Sequence, residues 1–101
     1  MKRSKLETCI DILSILTRQG PTRLTRIMHK ANICHEFLEE YLDFLIGHGL
    51  VEKRSIGKRV TGYSITVDGI NVLKCFRKLR RFFPEEDELK NRIPPVIASL
   101  H

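Results

Sequence analysis

The chain has 101 residues, with 42% apolar and 30% charged side chains, enough for one domain around one core. It contains no apolar run of the ~18–20 residues a transmembrane helix needs, which excludes that class of membrane protein. The basic start Met1-Lys2-Arg3-Ser4-Lys5 is followed by Glu7 and Asp11 with no small-residue cleavage site, so it does not read as a secretion signal. Cys9, Cys34 and Cys75 are odd in number and form no CxxC pair, the usage of reduced thiols in a cytoplasmic protein.

The net charge of +6 is unevenly spread. Residues 1–34 carry +5, residues 35–52 carry −5 with no Lys or Arg, residues 53–83 carry +8, and residues 84–101 carry −2. Two basic zones flanking an acidic insert point to a polyanionic partner, with the insert demanding its own account.

In chain order, the spacing predicts a first helix over 6–18. Ser4 and Glu7 form a capping box, and Leu6, Cys9, Ile10, Leu13 and Leu16 form its core stripe. Ile12 and Ile15 widen the apolar arc beyond one buried face, which suggests that a second subunit covers them. Gly20-Pro21 breaks this helix. A short second helix over 23–31 turns Leu24, Ile27 and Met28 inward, and Asn32 suits a left-handed exit. A third helix over 35–48 buries Phe37, Leu38, Tyr41, Leu42, Leu45 and Ile46. The period then falls to 2: residues 50–54 and 61–65 read as strands joined by a hairpin tip in which Gly57 takes the positive φ. Thr66 caps a fourth helix over 67–82, Pro84 stops it, and Glu85-Glu86-Asp87-Glu88 suits the start of a short last helix.

Three helices, a two-stranded hairpin with a basic tip and a further helix make a mostly α, α+β fold: the winged helix-turn-helix. The division is a domain over 1–83, including a C-terminal dimerisation helix, and an acidic segment and arm over 84–101. The stretch Thr25-Arg26-Ile27-Met28-His29-Lys30-Ala31-Asn32-Ile33 resembles the T-[RK]-I-M-x-K-A-N-[LI] segment of small archaeal winged-helix proteins regarded as transcriptional regulators. Tyr41-Leu42-x-Phe44-Leu45 through Gly49-Leu50-Val51, and Tyr63-x-Ile65-Thr66-x-x-Gly69, match that family's continuation. The resemblance spans residues 5–80. It implies a third helix in the major groove, a hairpin on phosphate and a homodimer built from the terminal helices. Family members usually place Ser or a similar cap where Cys34 stands. Some also carry a long C-terminal coiled coil, which Phe82-Phe83-Pro84 cuts short here.

Within that frame Lys53, Arg54, Lys58 and Arg59 surround the hairpin tip and suit a phosphate backbone. Arg23, Arg26 and Lys30 lie on the outer side of the second helix, which crosses the backbone in this docking mode. His35 starts the third helix, close enough to approach bases. The rest of that helix is acidic outside: Glu36, Glu39, Glu40 and Asp43 share one face. Phosphates repel such a face, so either it weakens DNA binding and sharpens its selectivity, or it faces a protein partner. On the fourth helix Lys74, Arg77, Lys78 and Arg81 form a basic stripe beside Val72, Phe76, Leu79 and Phe83, a short apolar seam. With Ile12 and Ile15, that seam is the candidate homodimer interface.

No nucleophile–base pair, paired catalytic carboxylates or phosphate-cradling glycine loop stands out, so no enzyme, cofactor or metal is expected. Cys34 and His35 with His48 diverge too far for metal ligation and fit a core thiol and surface imidazoles. Cys9 and Cys75 read as small buried apolar groups. The sequence therefore points to a homodimeric protein that binds double-stranded DNA as a transcriptional regulator. An interaction module that offers its acidic helix to another protein is the alternative.

Overall fold

A computed structural model describes residues 4–82. Phe83, the acidic segment over 85–88 and the arm up to 101 lie outside the described residues. The elements are α1 (Lys5–Gln19), α2 (Leu24–Ala31), α3 (His35–Gly47), β1 (Val51–Gly57), β2 (Val60–Ile65) and α4 (Val67–Phe82), the order expected of a winged helix-turn-helix.

Local chemistry sets the element ends. Ser4 Oγ accepts from the Glu7 amide at 3.1 Å while Glu7 Oε1 accepts from the Ser4 amide at 3.4 Å, closing the capping box of α1. The Gly20 amide donates to the Leu16 carbonyl and ends that helix. Asn32 leaves α2 in the left-handed region at φ 55°. Cys34 starts α3 with no side-chain cap, so the first-turn amides of that helix lack the usual hydroxyl or carboxamide acceptor.

The core is made by Ile12, Leu13, Leu16, Ile27, Leu38, Leu42, Leu45, Val51 and Leu73, each essentially inaccessible to water. α1 runs through its centre and packs on α2, α4 and β2. This corrects the expectation for Ile12 and Ile15, which are 0% and 5% exposed within a single chain. Their wide apolar arc is covered by the chain's own elements, so neither offers surface to a second subunit. Two predicted core residues are instead outside: Leu6 and Phe37 are 58% and 59% exposed. They lie beside Phe44 and Val72 on an apolar groove of about 590 Å³ between α1 and α3.

The hairpin is antiparallel, pairing Val51 with Ile65 and Lys53 with Tyr63, with a register shift between Ser55 and Gly57. That shift makes both strands longer than expected and leaves only Lys58 and Arg59 in the turn. The left-handed residue is therefore Arg59, at φ 60°, and not Gly57. A third segment joins the sheet at its root: Thr22 and Tyr63 exchange both backbone hydrogen bonds, at 2.9 and 2.8 Å.

The turn from β2 into α4 explains the Y-x-I-T-x-x-G pattern. Thr66 Oγ1 accepts from the Gly69 amide at 3.1 Å and donates to the Gly49 carbonyl at 2.6 Å, capping α4 and tying it to the end of α3. A side chain at Gly69 would press on the Leu50 carbonyl and come within 2.6 Å of Ile65 Cγ1. Only glycine lets the first turn of α4 rest directly on that backbone.

Candidate nucleic-acid interface

The wing is a strongly cationic projection of the fold. Lys53, Arg54, Lys58 and Arg59 are all exposed on it. Along β1, Lys53 and Arg54 point to opposite faces of the ribbon, as alternation requires. Arg54 lies 3.9 Å from Glu52 on its own face, a distant and solvent-screened pairing that leaves the guanidinium accessible. Ile56, displaced by the register shift, folds over Gly62, where any side chain would collide with it at 2.8 Å. The far end of the hairpin thus has its own small apolar contact and presents Lys58 and Arg59 at the tip.

Arg59 sits where a two-residue turn ordinarily takes glycine or asparagine. An L-residue there costs about 1 kcal/mol relative to glycine. Arg59 thus carries local backbone strain at the outermost point of a basic projection.

Arg23, the extended residue that precedes α2, and Arg26 and Lys30 on α2 are all exposed, and at 100° per residue Arg26 and Lys30 lie about 40° apart on the helix. Lys30 lies in a recess that it shares with α1 and α4, so at least this cation is not directed along the α2–α3 face. His35 is exposed at the start of α3, and its Nε2 is 3.1 Å from Glu39 Oε1, an ion pair whenever the imidazole is protonated. Glu36, Glu39, Glu40 and Asp43 are exposed together, next to the exposed rings of Phe37 and Phe44. The Phe44 ring in turn tilts against His48 at a centroid distance of 4.5 Å.

Of the expected apolar seam on α4, Val72 and Leu79 are exposed, at 39% and 58%, whereas Phe76 packs partly against the core. Arg80 lies over the Phe76 ring, 5.5 Å from its centroid. Phe82, at 78% exposure, extends the apolar surface beyond the residues the spacing picked out. The thiols also differ from expectation. Cys9 is buried, and burial pushes its pKa up despite the opposing charge of Lys5, whereas Cys34 and Cys75 are exposed. Among the described residues no group of three His, Cys, Asp or Glu side chains could hold a metal ion. No described helix is long and apolar enough to cross a membrane.

A family model for the winged helix-turn-helix matches residues 2–83. An uncharacterized protein of Methanocaldococcus jannaschii is 40% identical over 52 residues, covering 52% of this chain and 53% of that protein, so the match spans about half the length of each. A MarR family transcriptional regulator from Silicibacter pomeroyi superposes with a TM-score of 0.70 at 21% identity, covering 95% of this chain and 65% of the other. Lactococcus lactis ZitR in complex with DNA gives a TM-score of 0.61 at 21% identity, covering 99% of this chain and 74% of the other. At these identities the two structures are similar in fold.

Proposed function

Because the chain belongs to the winged helix-turn-helix family, we propose that it binds double-stranded DNA as a transcriptional regulator and takes hold of the phosphate backbone through its wing. The observation that carries this reading is the wing tip, where Lys58 and Arg59 form the whole turn and Arg59 is kept in a left-handed conformation. Lys53 and Arg54 extend the same basic surface along β1, and Arg23 and Arg26 add a second one at the start of α2. The fold likeness to a DNA-bound regulator supports the same conclusion.

The test is a titration of duplex DNA at several salt concentrations. Replacing Lys58 and Arg59 together by Ala removes two phosphate contacts and flattens the slope of log K against log salt by about 1.8. An unchanged slope refutes the assignment.

A homodimer fits this reading, with Val72, Leu79 and Phe82 of α4 as its apolar surface. Leu79→Asp with Phe82→Asp is the informative variant, since both side chains are exposed in one chain and their loss spares the core. It should reduce a two-chain sedimentation mass to one; a wild-type protein that sediments as a single chain refutes the dimer. One observation favours a second reading, a protein-binding module: the acidic stripe of α3 lies beside two exposed phenylalanines, Phe37 and Phe44. Such a combination suits a basic, partly apolar protein surface better than a phosphate backbone.

A further inference from the structure

Three cations from three helices meet at one recess on the side of the fold formed by α1, α2 and α4. Arg18 comes from the last turn of α1, Lys30 from the last turn of α2, and Arg77 from the middle of α4, around a space of about 350 Å³. Ser14 and Asp11 complete the polar wall, and the buried Ile15 contributes an apolar lining. Among the described residues one carboxylate faces three cations, which leaves the recess a positive excess. Arg18 and Lys30 also complement the negative ends of their own helices. Arg77 has no such role in mid-helix, and among the described residues none of the three cations is held in an ion pair.

We infer that this recess is a binding site for a phosphate group. Two guanidinium forks, an ammonium and a hydroxyl approach from three helices, which suits a tetrahedral dianion with oxygens in several directions. A planar monocarboxylate would be satisfied by one guanidinium alone. The apolar lining limits screening behind the bound charge. The volume, at the small end of ligand pockets, accommodates a phosphate ester with a compact organic group. The same chemistry is offered by a backbone phosphate of a duplex lying across α2 and α4. Occupancy by a free phosphate compound needs only the recess and is independent of the wing's role in DNA binding.

Pyrophosphate titrated into the ¹⁵N-labelled full chain at constant ionic strength tests the site. Saturable shifts are expected at the backbone amides of Arg18, Lys30 and Arg77. Loss of a charge-assisted contact should weaken binding about tenfold in Arg77→Ala. Arg77→Lys should recover part of it, and Arg81→Ala, on the same helix outside the recess, should have no effect. Arg77→Gln serves if the alanine variant does not fold. A parallel titration with a short duplex separates the sources. Shifts at the same amides with the duplex alone, lost in the Arg77 variants, identify backbone phosphate; shifts with pyrophosphate identify a free ligand. Unmoved recess amides in both titrations overturn the proposal. So does an Arg81→Ala variant weakened as much as Arg77→Ala, which would mean diffuse attraction to the basic surface.

Discussion

Replacing Arg59 by glycine should make the protein more stable than the matching change at its neighbour, while costing both variants the same share of DNA affinity. Arg59 has φ 60°, and Lys58 is outside the left-handed region. Glycine at 59 relieves about 1 kcal/mol of backbone strain, against which its greater freedom in the unfolded chain returns about 0.4–1 kcal/mol. Glycine at 58 incurs the second term with no relief. The two variants should therefore differ by about 1 kcal/mol, or roughly 4–8 °C in melting temperature for a domain of this size. Each removes one cation from the tip, so each should lower the slope of log K against log salt by about 0.9. Calorimetry and a salt-resolved duplex titration on the two single variants measure both quantities. An Arg59→Gly protein that melts at or below Lys58→Gly shows that the turn holds no strain. An unchanged slope in both shows that the tip does not touch phosphate.

Gly69→Ala should destabilise by about 1–3 kcal/mol in urea unfolding, because the added methyl meets the Leu50 carbonyl and Ile65. Alkylation with iodoacetamide at neutral pH should modify the exposed Cys34 and Cys75 before the buried Cys9, whose raised pKa keeps it in the less reactive thiol form; mass spectrometry after a short exposure reads the order. Glu39→Gln, Glu40→Gln and Asp43→Gln together should strengthen binding to arbitrary duplex DNA and reduce discrimination between sequences if α3 sits near the groove, since each carboxylate repels phosphates within about 8–10 Å. Weaker DNA binding in that triple variant would mean that the acids make favourable base contacts.

The element order was legible because its punctuation is local. The Ser4–Glu7 box, the Gly20-Pro21 break, Asn32 and Thr66 each act within a few residues of themselves, and each does in the structure what its chemistry requires. What escaped depends on neighbours distant in sequence. Ile12 and Ile15 resembled a spare apolar face because the periodicity of one helix does not reveal that α2, α4 and β2 surround it. Phe37 lies on a flank of α3 that one turn of the helical wheel separates poorly from the buried stripe, and α1 stands too far off to cover it. The left-handed position falls at Arg59, two residues past Gly57, because a register shift at Ile56 leaves no mark in alternation that short. The four wing cations were identifiable as a cluster, since they are close in the chain. The recess was not, because residues 18, 30 and 77 share nothing until α1, α2 and α4 are packed together.

The paired hydrogen bonds between Thr22 and Tyr63 have a mechanical consequence for the wing. They clamp β2 near its root to the loop between α1 and α2, while β1 is anchored two residues nearer the base by Val51 in the core. Toward the tip from Tyr63, the ribbon is supported among the described residues by its own ladder and the Ile56–Gly62 contact. It is a cantilever: fixed at the base in two places, free along its span, with the charge at the loaded end. A load at Lys58 and Arg59 is therefore shared between the Thr22–Tyr63 bridge and the Val51–Ile65 pair. On the proposed reading, the residues that would meet a backbone are thus set at the far end of a ribbon whose root is fixed to the fold at Thr22 and Val51.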